Sequence, residues 1–239
     1  MRWSWNAAIH AIAKFRPEQY CGGALISDHH VLTAAHCIEK RTSDGIRVHL
    51  GSRRRSTLDK GELAMSVKEM CIHQNYSGSV SEHLHRLLTK TEKISFSNAR
   101  FRISVVYVKL AKKTQKHKFS RTLFHVVPQF DTQEFIGKAH GLLSKNKCLK
   151  YFDITLSDEV LCAPHDGGSL CEGDSGAPVM QNIGGHWFLQ GVLSGGPPKC
   201  GDSTLPMVFT RVASFMDNFI NPYLKAKTRE TKKKFCTLK

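Results

Sequence analysis

Eight cysteines, at positions 21, 37, 71, 148, 162, 171, 200 and 236, constrain this chain more than any other feature. The count is even and no two stand in a C-x-x-C pair, so a zinc site has no support and no metal is expected. Cysteines spread this widely suit disulfides in an oxidising compartment, and the expectation is a secreted protein. Spacing alone leaves their pairing open. The opening "MRWSWNAAIHAIAKF" holds one Arg and a short apolar stretch broken by His10, and it runs almost directly into "CGGALI". It lacks a cleavage site and is not read as a signal peptide. One reconciliation of that expectation with the missing signal is that the chain as given lacks its true N-terminus.

With 41% hydrophobic and 23% charged residues, the chain can build a substantial core, as one domain or two small ones packed closely. No apolar run approaches the ~18 residues of a membrane span. Short β-type runs recur between turn signals: "GALISDHHVLTAA", "IRVHLGS", "HWFLQGVLSGG" and "PMVFTRV". This favours an antiparallel sandwich or barrel over a βαβ fold. "NIGGHWF" (182–188) reads as a hairpin turn feeding the next strand. Val212, Phe215, Met216, Phe219, Ile220 and Tyr223 recur at helical spacing. Pro222 falls inside that pattern, so the helix is expected to end or kink there.

The formal net charge is +15, concentrated in "KLAKKTQKHKFSR" (109–121) and "KAKTRETKKKFCTLK" (225–239). Such a surplus can attract a heparin-like polyanion, nucleic acid or anionic membrane. From sequence alone, a solvated loop and a loose tail outrank a dedicated site. No basic motif is interleaved with aromatics, so specific nucleic-acid recognition is not expected.

Two short stretches carry chemistry. "LTAAHC" (32–37) sets His36 among small residues, and "CEGDSGAPV" (171–179) sets Ser175 in a glycine-bounded turn. A serine hydroxyl is a weak nucleophile until a neighbouring base takes its proton. Glycines let the backbone curl until N–H groups converge, which an oxyanion site needs; here the N–H groups of Gly173 and Ser175 are the candidates. A lone histidine or a lone G-x-S-x-G is weak evidence, but the pair in this order, with flanking cysteines, is far more specific.

Together with "CGGALISDHHVLTAAHC", "VLCAP", "GVLSGG" and "VFTRVASFMDNFI", these stretches resemble the trypsin-like, chymotrypsin-fold serine peptidases. The resemblance implies an all-β fold of two packed antiparallel β-barrels, the active site between them, and a C-terminal helix. It assigns about 1–105 to the first barrel, about 106–211 to the second, 212–224 to the helix and 225–239 to a basic tail. It makes His36 the general base, Ser175 the nucleophile and Asp174 the partner of a processed N-terminal ammonium. Ser169, at the pocket floor, offers no charge to hold Lys or Arg. Ser194, Gly195 and Gly196 match the strand that pairs with substrate backbone, and Met207 stands where the family keeps a small glycine. A methionine there narrows the pocket toward small or medium apolar side chains. The resemblance also implies the disulfides Cys21–Cys37, Cys148–Cys162 and Cys171–Cys200. The remaining pair, Cys71–Cys236, looks like the extra bridge of the snake-venom members. "NYS" (75–77) makes Asn75 a candidate glycosylation site of small functional weight.

Three family features are missing. The triad aspartate's slot, within "HLHRLLTKTEKISFS" (83–97), aligns with Leu84. The nearest acid, Glu82, stands two residues earlier, about 6–7 Å along a strand, and is a poor substitute. The Ile-Val-Gly-Gly start has no counterpart, which would leave Asp174 without its ammonium. The Gly-Trp-Gly is also absent, with "AHGLL" (139–143) near its place. Two explanations stay open: a non-catalytic homologue that acts as a secreted binding protein, or misjoined segments in the encoded sequence. The intact serine and histidine turns favour the second. The expected activity is a serine endopeptidase, impaired as written, acting on peptide or protein substrates as a monomer without a cofactor.

Overall fold

A computed structural model describes residues 5–12, 18–51, 62–76, 105–110 (backbone only), 142–151, 157–164, 173–197 and 205–239. The first sheet contains β1 (Asn6–Ala11), β2 (Glu18–Ser27), β3 (His30–Ala34), β4 (Ile46–Leu50), β5 (Leu63–His73) and β6 (Val105–Leu110). Its order is β5-β4-β1-β2-β3-β6, and β6 pairs again with β5, so the sheet closes on itself. Closure depends on β5, whose 11 residues serve two neighbours in succession. Leu63–Ser66 pair with β4, and Val67–Ile72 pair with β6. The register shifts between Val67 and Glu69, the kind of irregularity that bends a strand round a barrel. Ile9, Leu32, Ile46, Val48, Leu50 and Met70 are fully buried in its core.

The second sheet contains β7 (Val160–Ala163), β8 (Pro178–Ile183), β9 (His186–Gly195) and β10 (Met207–Arg211), in the order β7-β10-β9-β8. Every pairing in both sheets is antiparallel. The β8–β9 hairpin turns at Gly184 and Gly185, with φ of 58° and 85°. Two successive positive φ values are what a tight hairpin demands, so the glycine pair read from sequence directs this turn. Asn182 Oδ1 accepts from Gly185 N at 3.0 Å and fastens it. A short helix, α1 (Lys145–Leu149), starts at Ser144, whose side chain accepts from Lys147 N. Three disulfides join Cys21 to Cys37, Cys148 to Cys162 and Cys71 to Cys236. Cys171 and Cys200 lie outside the described residues.

The C-terminal segment departs from expectation in two respects, its helical stretch and its last fifteen residues. The helical stretch is a 3-10 turn (Val212–Phe215), a π-helical turn (Met216–Ile220) and then α2 (Asn221–Lys225). Pro222 does not end it; it sits in the first turn of α2, where a missing N–H costs little. Val212, Phe215, Phe219, Ile220 and Tyr223 are buried, as the helical spacing predicts. At the expected boundary near residue 105, Val105–Leu110 pair with β3 and β5 of the first sheet. Finally, residues 225–239 are no loose tail. They form α3 (Arg229–Lys233) and β11 (Cys236–Leu238), and β11 adds to the edge of β5. A covalent bond, a strand pairing and the Lys232–Glu69 ion pair outweigh the solvation that a charge run otherwise prefers.

Candidate active site

His36 lies in a 3-10 turn, Ala35–Cys37, directly after β3. Ala35 is fully buried and Cys37 nearly so, which leaves room only for small residues flanking the imidazole. Ile38 N and Glu39 N both bond to Ala35 O at 2.9 Å and close the turn. Cys37 is tied to Cys21 on β2, so the histidine turn is anchored at both ends. A His36 ring nitrogen and the sulfurs of Cys21 and Cys37 lie within 4.8 Å of one another. Those sulfurs are joined in a disulfide, and metal ligation needs thiolates. Burial lowers the His36 pKa below the ordinary histidine value, and the Glu39 carboxylate partly opposes that shift. The ring therefore stays neutral at physiological pH, the state a general base requires.

Ser175 comes from the other sheet, in the turn that enters β8. Gly173 and Gly176 hold φ of 95° and 84°, a region that L side chains rarely adopt. Ala177 N bonds to Asp174 O at 2.9 Å, and Gly176 N bonds to Leu193 O at 2.7 Å. The serine backbone crosses to the first sheet, where Gly22 N donates to Ser175 O at 2.7 Å. Cys37 Sγ lies 3.6 Å from the same oxygen. A Cβ placed on Gly176 would stand 2.3 Å from Thr33 Oγ1 and 2.4 Å from Gly22 O. A Cβ on Gly22 would meet Ala177 Cα at 3.1 Å. Thr33 Oγ1, fully buried, donates to Gly22 O at 2.7 Å and fixes that strand.

Backbone of β2 and backbone of the serine turn are thus pressed together, with glycine on both sides. This clasp brings the Ser175 turn against Cys37, the residue next to His36. Sequence reasoning missed Gly22 and Thr33. The glycine pair of "CGGALI" was the available signal, because adjacent glycines in a strand often mark close backbone approach.

Other expected residues fall as follows. Ser194 Oγ bonds to Thr210 Oγ1 at 2.7 Å and to Val192 O at 3.1 Å, at the end of β9. Met207 is 5% exposed, and its Sδ and Cε lie 2.8 and 2.9 Å from where a Gly196 Cβ would be. The Met207 side chain therefore fills the space beside Gly196. Asp174 is half-buried and has an interaction partner within the fold. Asn75 is exposed in the turn after β5. Ser169, Glu82, Leu84, Cys171 and Cys200 lie outside the described residues.

Two antiparallel sheets that bring a histidine turn and a glycine-bounded serine turn together at their junction define a serine-peptidase scaffold. A family model described as Trypsin matches residues 1–218, and the chain belongs to that family. It is 29% identical over 93% of its length to venom serine protease Bi-VSP of Bombus ignitus. It is 28% identical over 83% to CLIP domain-containing serine protease B4 of Anopheles gambiae. Vitamin K-dependent protein C of Rattus norvegicus is 30% identical over 85% of the chain. The chain spans 66%, 60% and 46% of the lengths of these three relatives. Its all-β fold with a C-terminal helical segment is the one this family membership implies.

Proposed function

We propose that this chain cleaves peptide bonds in extracellular protein substrates, with Ser175 as nucleophile and His36 as general base. His36 accepts the Ser175 hydroxyl proton as the serine attacks the carbonyl, then returns it to the leaving amine. The N–H groups of Gly173 and Ser175 receive the oxyanion. The observation that carries this reading is the clasp of Gly22, Thr33 and Gly176, which docks the serine turn beside the histidine turn. A pre-positioned nucleophile and base replace a diffusional encounter with a fixed one. The disulfides, and relatives named as venom and vitamin K-dependent proteins, support an extracellular setting.

Position 84 sets the rate. Aligned with the triad acid, Leu84 can neither hold the imidazole tautomer nor stabilise the imidazolium. Replacing that aspartate by an amide in a chymotrypsin-type triad lowers kcat about 10⁴-fold, or about 5.5 kcal/mol of barrier. We therefore expect slow hydrolysis. Met207 against Gly196 directs preference at the cleavage position to small or medium apolar side chains. The test is turnover of a broad peptide library at neutral pH, beside the Ser175→Ala variant. Slow cleavage that vanishes in the variant supports the reading. Equal background in both favours a second reading, a secreted binding protein of peptidase fold, for which Leu84 is the specific argument.

A further inference from the structure

Residues 225–239 carry seven Lys or Arg against a single Glu. The Trypsin match ends at residue 218, so this segment lies beyond the residues that match. As a solvated tail it would need no explanation, but the structure holds it in place. Thr228 caps α3 by accepting from Thr231 N at 3.2 Å. Lys232 is only 6% exposed, with Nζ 2.5 Å from Glu69 Oε1 and 4.8 Å from the centre of the Tyr223 ring. Tyr223 OH donates to the same Glu69 oxygen at 2.7 Å. Cys236 is bonded to Cys71, and Lys239 Nζ donates to Glu39 O.

These anchors use Lys232 and Lys239 and leave Lys225, Lys227, Arg229, Lys233 and Lys234 exposed. Arg229 and Lys233 stand four apart on α3, on one side of the helix, where like charges disfavour it. Self-repelling cations are thus held in one fixed segment by a disulfide and a buried ion pair. We propose that this cationic strap, residues 225–234, is a docking face for a sulfated polysaccharide. A linear chain of sulfates can follow several cations along one segment, and a segment already ordered loses little entropy on binding. An anionic membrane fits less well, because Leu224 is the one large exposed apolar residue among those described in this region. Nucleic acid fits less well too, because Phe235 packs against the core rather than offering a ring for base stacking. The proposal does not depend on Ser175 being active.

The experiment measures binding of the full chain to immobilised heparin at several salt concentrations. The wild type is compared with Arg229→Gln/Lys233→Gln/Lys234→Gln, and with a charge-matched control, Lys112→Gln/Lys113→Gln/Lys116→Gln. Wild-type binding should fall steeply with salt. The strap variant should weaken by at least about tenfold with a shallower salt slope, while the control changes far less. Lys225→Gln/Lys227→Gln, which leaves α3 untouched, should also weaken binding and guards against a folding effect. Equal losses in strap variant and control would mean that net charge alone is read, and would overturn the proposal. So would absence of wild-type binding, or phosphatidylserine vesicles or single-stranded DNA binding as tightly through the same residues.

Discussion

Replacing Gly176 by alanine tests the clasp at its tightest point. Two costs are expected. The first is backbone strain: φ is +84°, and an L side chain in the left-handed region costs about 1–2 kcal/mol. The second is collision, because the new methyl would stand 2.4 Å from Gly22 O and 2.3 Å from Thr33 Oγ1. The carbonyl belongs to a paired strand and the hydroxyl is bonded to it, so neither moves without breaking the Thr33–Gly22 bond. Losing that buried hydrogen bond adds about 1–3 kcal/mol, and Gly176→Ala should cost about 2–5 kcal/mol in all. Gly185→Ala is the matched control. Its φ is +85°, yet nothing lies within 4 Å of the added methyl, so only the strain applies. For a chain of this size the control should lower Tm by about 2–8 °C, and Gly176→Ala should lower it by about 2–12 °C more. Denaturant midpoints with unchanged slopes check that both effects are on stability. Equal losses at the two glycines would refute the clasp.

Three further outcomes follow from the structure. Because burial lowers the His36 pKa and activity needs the neutral ring, the acid limb of any hydrolysis profile should fall below the ordinary histidine value of about 6.5. Stability should follow the same sign. His36 and His73 are both depressed by burial, so their contribution is complete above about pH 6.5 and is lost as pH falls through the lower folded values. Removing the Cys71–Cys236 bridge by a double Ala substitution should cost up to about 5 kcal/mol in the chain-entropy picture, read as a lower denaturant midpoint. Met207→Gly should raise cleavage after Phe or Tyr relative to Ala or Val, and an unchanged preference would remove Met207 from the pocket wall.

The parts legible in the sequence were those written locally. Gly184 and Gly185 announce a tight hairpin because two positive φ values have almost no other residue solution. The histidine and serine turns are short motifs whose glycines and cysteines mark them by family resemblance. The Cys71–Cys236 bond joins residues 165 apart and was reached only through that resemblance. What the sequence hid depends on partners far along the chain. Lys232 reads as one more solvated lysine until Glu69, 163 residues earlier, is folded against it. Thr33 looks like an ordinary strand residue, and the glycine pair at Gly22 signals a close approach without naming its partner, until the turn at Gly176 is pressed on them. Pro222 looked like a helix terminator because local rules do not say which turn it occupies.

The most direct test of the central claim is labelling of Ser175 by a fluorophosphonate probe, which requires an activated serine hydroxyl. Folded wild-type protein should label slowly at Ser175, as located by mass spectrometry. Labelling should be lost in Ser175→Ala and His36→Ala and accelerated in Leu84→Asp. A folded Leu84→Asp variant that stays unlabelled at Ser175 would contradict the account.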